Sequence, residues 1–139
     1  MKVSAKAEYA CLAILALARQ GPDAPPLRTR DISEEYEIPE RYLVQILLQL
    51  KGAGLVASTR GAAGGYRLTR SPESIRLSEV LAAIDGPDTL RHETVGSNRQ
   101  AARVLAPVWA SVRDAERAVL EGTTIAQLVQ RTSPLEWTI

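Results

Sequence analysis

Apolar residues along this chain recur mostly at helical spacing, and the breaks between the periodic runs fall at glycine and proline. Residues 5–19, "AKAEYACLAILALAR", place Tyr9, Leu12, Ala13, Ala16 and Leu17 on one face at i, i+3, i+4, i+7 and i+8. Ala10, Cys11, Ile14 and Leu15 make the other side apolar as well, so this helix needs cover on more than one side, and in so small a protein a second subunit is a natural cover. Gly21-Pro22 ends it. A short helix is expected over 29–36, capped at or near Thr29, with Ile32 facing inward. Pro39 suits the first position of the next helix, where its missing N–H is not needed. That helix turns Leu43, Ile46, Leu47 and Leu50 to one side and closes at Gly52 and Gly54.

The period then changes. "LVAS" and "YRLT" are β-prone and flank the glycine-rich stretch "STRGAAGGYRL", which reads as a hairpin with a long tip. Helix, turn, helix and hairpin together predict a winged helix-turn-helix. Further on, Ser78 is expected to cap a helix "EVLAAID" that Gly86 ends, while 87–106 show no clean period. Pro107 can start another helix, along which Val108, Val112, Ala115 and Val119 recur at the spacing of a coiled-coil seam. Gly122 stops it, and Thr124 with Gln127 forms a capping box for a last short helix. The fold class expected is mostly α with a small β-hairpin wing, ending in a C-terminal dimerisation helix. Its parts would be a DNA-binding domain at 1–86, a linker or effector segment at 87–106, and a dimerisation helix with a short final helix at 107–139.

Composition narrows the function. The 139 residues include no run of 18 apolar positions, so no membrane partner is expected, and the N-terminus lacks a signal peptide's apolar core. One cysteine, Cys11, cannot form an internal disulfide or a cysteine-built metal cage, and a cytoplasmic location is the expectation. Net charge is +1, but residues 1–70 carry ten Lys/Arg against seven Asp/Glu, whereas the remainder is mildly acidic. A basic front half is compatible with nucleic-acid binding. No enzyme is expected: the sole histidine and sole cysteine lie far apart in the chain, with no nucleophile–base motif.

Candidate chemistry therefore sits in the helix pair and the wing, with double-stranded DNA as partner. Glycines 61, 64 and 65 allow positive φ and close backbone approach at the tip, where N–H groups could meet phosphates. Arg60 would enter a minor groove. The second helix would enter the major groove by its N-terminal end, placing Glu40, Arg41, Val44 and Gln45 at or near base edges, with Tyr42 supporting the helix or touching a phosphate. Arg41 suits guanine and Gln45 suits adenine. Lys2, Lys6, Arg28 and Arg67 would supply phosphate contacts, and Ser58, Thr59 and Tyr66 complete the set flanking the tip. Leu12, Leu15, Val108, Val112, Ala115 and Val119 are the candidate dimer contacts.

"KAEYACLAILALA", "IPERYLVQILLQLKGAGLVASTRGAAGGYRLTRSPESIRLSEVLAAIDG" and "TIAQLV" resemble the Rrf2 family of bacterial transcription regulators, closely over residues 1–86 and more loosely over 107–130. The resemblance implies a homodimer joined by long crossed helices, binding a near-palindromic operator with the wing arginine, here Arg60, in the minor groove. Many members hold an iron–sulfur cluster through three cysteines between the DNA-binding domain and the long helix. Here that segment, "PDTLRHETVGSNRQAARVLA", has none, so no cluster is expected. Glu8 stands where some relatives place a carboxylate or histidine ligand; with Cys11 and His92 it forms the remaining metal-ligand candidate set. Many members also have glutamate where Val44 stands, so no operator sequence carries over. The resulting expectation is a cluster-free homodimeric regulator, a repressor, switched by a small-molecule or protein effector. The alternatives are a winged-helix interaction module acting on a partner enzyme, or a metal sensor with non-cysteine ligands.

Overall fold

The computed structural model describes residues 2–62, 64–86 and 99–132. Helices α1 (Ala5–Arg19), α2 (Thr29–Tyr36) and α3 (Glu40–Gly52) are followed by strands β1 (Val56–Thr59) and β2 (Gly65–Leu68), then by α4 (Leu77–Asp85), α5 (Arg99–Gly122) and α6 (Ile125–Arg131). The order is the expected winged helix-turn-helix with a long helix behind it. β1 and β2 pair antiparallel, with Val56 opposite Leu68 and Thr59 opposite Gly65.

One core holds these elements together. α1 packs against α3, α4 and α6. Its alanines explain how so many helices approach it: Ala7, Ala10 and Ala13 are wholly buried, so neighbouring backbones come close without large side chains between them. The buried face is centred on Ala10, Ala13, Ile14 and Leu17, while Tyr9, Leu12 and Cys11 are half-buried at its edge. Ile32, Leu43, Ile46, Leu47 and Leu50 complete the core from α2 and α3. Ser4 caps α1, its hydroxyl accepting from the Ala7 N–H at 3.0 Å and donating to the Asp85 carboxylate at 3.1 Å, which fixes the start of α1 to the end of α4.

Several boundaries differ from expectation. α2 is capped by no side chain; Arg28 holds the N-cap position and Thr29 is the first helical residue. Pro39 is the N-cap of α3, one residue before the position expected. α4 starts at Leu77, ahead of Ser78, because the Glu79 carboxylate accepts from the Arg76 N–H at 2.8 Å and caps the helix two residues early. The largest change concerns Pro107, which lies inside α5 rather than at its start. Proline costs one intrahelical hydrogen bond, and the ring projects from an exposed position, so the helix continues through it. Residues 99–106 are accordingly helix, and 87–98 lie outside the described residues.

The chain's end returns to the DNA-binding body. The Leu77 N–H donates to the Thr123 carbonyl at 2.9 Å and the Ile125 N–H to the Ile75 carbonyl at 3.0 Å, a short antiparallel ladder around Arg76 and Thr124. Ile125 is fully buried. Thr124 and Gln127 form the expected capping box, at 3.0 and 3.2 Å. α6 thus belongs spatially with the body, and α5, which packs against α4, is the element that leaves it.

Candidate nucleic-acid interface

The turn before α3 is built tightly. Glu37 takes the left-handed conformation at φ 55°, and its N–H donates to the Ser33 carbonyl. The Ser33 hydroxyl donates to the Ile38 carbonyl at 2.5 Å, and Ile38 anchors the turn in the core. This sets the direction in which α3 leaves. With Leu43, Ile46, Leu47 and Leu50 buried, the opposite side necessarily carries Glu40, Arg41, Tyr42, Val44, Gln45 and Leu48, all exposed. The Arg41 guanidinium lies 5.1 Å from the Tyr42 ring centroid, a cation–π contact that holds the arginine beside the helix start.

The wing is fastened to its surroundings at three places. Lys51, in the last turn of α3, donates to the Ser58 hydroxyl at 2.8 Å. Arg28 donates to the Ala62 carbonyl at the tip. Leu27 pairs with Tyr66 through two backbone hydrogen bonds, of 3.0 and 2.7 Å, and so adds a one-residue third strand to the hairpin. That last contact explains Gly65, since a Cβ there would lie 2.4 Å from the Leu27 carbonyl oxygen. At Gly64 a Cβ would lie 2.3 Å from the Thr59 carbonyl oxygen. Both glycines are therefore demanded by the chain's own backbone. Gly61, at φ 102° with open space around it, is the glycine whose conformation alone requires it.

Arg60, Gly61, Ser58, Thr59 and Arg67 are exposed, and Tyr66 is half-buried against the core. Lys2 precedes α1 and is exposed, and Lys6 lies in its first turn and is half-buried. Lys51, absent from the residues expected from sequence, is the cation that ties α3 to the wing. Only the pairing register brings it to Ser58, and nothing in its sequence neighbourhood marks it.

Leu12 and Leu15 are half-buried on α1 and pack against the core. Val108, Val112, Ala115 and Val119 all stand exposed on α5. The same stripe also contains Val104, Leu105 and Trp109, with Val104 75% exposed. Reading Pro107 as a helix start hid these three, although the spacing from 104 to 108 to 112 continues the seam.

Of the metal-ligand candidates, the structure describes Glu8 and Cys11. Glu8 is exposed, and His92 lies outside the described residues. Among the described residues no group of three or more His, Cys, Asp or Glu could hold a metal ion. Burial, and after it the Glu8 carboxylate, pushes the Cys11 thiol up to about 11, so it is protonated at neutral pH.

An amphipathic helix exposing Arg41 in its first turn, beside a wing fixed to its far end, has the arrangement of a winged-helix DNA-binding protein. Residues 3–131 match Rrf2, described as an iron-dependent transcriptional regulator. The chain belongs to the Rrf2 family of transcriptional regulators. It is 33% identical over 132 residues to the HTH-type transcriptional regulator CymR of Bacillus subtilis, covering 95% of this chain and 92% of that protein. It is 35% identical over 138 residues to the HTH-type transcriptional regulator IscR of Vibrio campbellii, covering 98% and 82%. The solved structure of CymR, the global cysteine regulator of B. subtilis, superposes with a TM-score of 0.83 at 31% identity, covering 96% of this chain and 99% of that one. The family description names iron, but the donor set here does not fit a cluster held by several thiolates: the sequence has one cysteine, and its thiol is half-buried and protonated.

Proposed function

We propose that this DNA-binding regulator is a homodimer that represses transcription from a two-fold symmetric operator and works without an iron–sulfur cluster. The observation that carries the reading is the fastening of α3 to the wing through Lys51 and Ser58. That contact joins the end of α3 to the wing, and in this reading the Arg41–Gln45 face and the Arg60 tip engage a major groove and the adjacent minor groove together. The exposed apolar stripe of α5 supports the dimer, because a second copy of the same stripe would cover it. Two copies place two such units on successive half-sites. Occupation of a promoter by such a dimer excludes polymerase, which is the basis for reading it as a repressor. The lone protonated cysteine supports a cluster-free protein.

Lys2, Lys6, Arg28 and Arg67 supply salt-sensitive affinity in this reading, while Arg41, Gln45 and Arg60 discriminate. Sedimentation, iron analysis of anaerobically purified protein and selection of genomic fragments test it together. The expected result is an iron-free dimer that enriches one palindromic site, and a promoter carrying that site should fall silent in a reporter strain. Arg60→Ala should then weaken binding to that site by about 1–3 kcal/mol. A monomer, stoichiometric iron, or enrichment of no discrete site would each overturn the corresponding part.

A further inference from the structure

The outward side of α3 holds a feature that its polar residues do not explain. Arg41, Val44, Gln45 and Leu48 follow i, i+3, i+4 and i+7 and form one stripe opposite the buried leucines. Val44 is 45% and Leu48 55% exposed. A single exposed aliphatic side chain is ordinary on a protein surface. Two of them one turn apart, alternating with a guanidinium and a carboxamide on the outward face of this helix, form a pattern. The stripe is bordered by cations, Arg41 at its start and Lys51 beyond its end, with Arg60 and Arg67 on the attached wing. Glu40 is the one carboxylate beside it in the first turn, so the balance favours a covering surface that offers negative charge and small apolar groups. Duplex DNA does so in one place: the major groove shows phosphates at its rims, and its apolar feature on the base edges is the thymine C5-methyl.

We infer that Val44 and Leu48 read thymine methyl groups, so that each half-site carries thymine at one or two positions beside the bases met by Arg41 and Gln45. This rests on the reading above that α3 lies in the major groove. Guanidinium and carboxamide contacts select purines through hydrogen bonds, and the two aliphatic side chains add selection at positions where no hydrogen bond is made. Cytosine at such a position lacks the methyl and would set the free N–H of its base-paired N4 amino group against an aliphatic surface.

The test uses the full-length protein and an operator selected from a random duplex pool. Each thymidine of the half-site is replaced in turn by deoxyuridine, which removes only the methyl. At one or two positions affinity should fall about fourfold, the worth of one buried methyl group. V44A or L48A should bind the thymine operator more weakly by a similar factor and become indifferent to deoxyuridine at the matching position, because the contact is already lost. Both side chains are exposed, so the variants should melt as the parent does. Indifference of the parent protein to deoxyuridine at every position would overturn the inference while leaving α3 as the reading helix. So would an undiminished deoxyuridine penalty in V44A/L48A, which would assign the effect to the DNA itself. Failure to select any sequence would remove the groove reading along with it.

Discussion

Helices α3 and α5 are both amphipathic, yet they meet opposite fates. α3 turns its aliphatic side chains into a core shared with α1 and leaves a mixed stripe outside. α5 carries Val104, Leu105, Val108, Trp109, Val112 and Val119 on its exposed surface. One helix buries its main aliphatic face within the chain, and the other leaves its apolar stripe exposed among the described residues. The difference lies in the surroundings more than in the pattern. α3 is bracketed by a tight turn at Glu37–Pro39 and by the hairpin that begins at Val56, so its apolar side has one place to go. α5 is longer and packs mainly on α4, so much of its apolar stripe stands exposed among the described residues.

Substitutions in the two helices should therefore break different things. Leu47→Ala, at a wholly buried position of α3, should cost about 2–5 kcal/mol of stability in denaturant unfolding, whatever the protein concentration. In the proposed dimer, Val112→Asp on α5 should leave the folded chain intact but shift dissociation by about a hundredfold or more, the scale of about 3 kcal/mol for burying an unpaired charge. Sedimentation velocity reads that shift, and DNA affinity should fall with it. If Val112→Asp instead unfolded the chain at every concentration, α5 would be a core helix and the contrast would fail.

The wing sharpens the comparison at a smaller scale. Gly65→Ala forces a Cβ against the Leu27 carbonyl, so the hairpin must pull away from residues 26–27. The expected cost is about 1–3 kcal/mol in unfolding, with a loss of operator affinity beyond what the stability change explains. Gly61→Ala has room for its Cβ and should cost about 1 kcal/mol through its positive φ alone. Equal effects at the two positions would show that the clasp at Leu27 contributes nothing.

At neutral pH the smallest effect on stability concerns titration of Cys11, which matters only in alkali. Its folded pKa is raised to about 11, so the stability gained by keeping the thiol neutral is complete below the ordinary thiol value of 9.0 and is lost as pH rises through about 11. At pH 8 the folded protein should react with a disulfide reagent about a hundredfold more slowly than the unfolded chain, the ratio of their thiolate fractions. A fast native reaction would mark Cys11 as an accessible thiolate and reopen its candidacy as a ligand.

Much of this was legible from residue order. The leucine spacing of α3, the glycine-flanked hairpin, the box at Thr124 and Gln127 and the stop at Gly122 are local signals. Each depends on side chains within a few positions of one another, and the structure keeps them. The α5 seam was legible over 108–119, but its first turns were hidden because proline inside a helix is uncommon and reads as a start. The cap of α4 was misplaced for a related reason: Ser78 is a strong capping type, but a carboxylate at Glu79 reached Arg76 first. Burial works against that carboxyl, yet the Arg76 N–H and the Arg70 guanidinium outweigh it and hold Glu79 below the usual carboxylate range.

The sequence by itself determined most of the helices and both strands, which face of α3 is buried, and that no second cysteine exists to share a cluster. Tertiary structure alone decided that α6 rejoins the body through Thr123 and Ile125, that Gly64 and Gly65 answer to the chain's own carbonyls, and that Lys51 joins α3 to the wing. The division is physical. Propensity and periodicity act over one or two turns of chain, whereas a backbone clasp between Leu27 and Tyr66, or between Ile75 and Ile125, joins residues about 40 and 50 positions apart and has no local signature.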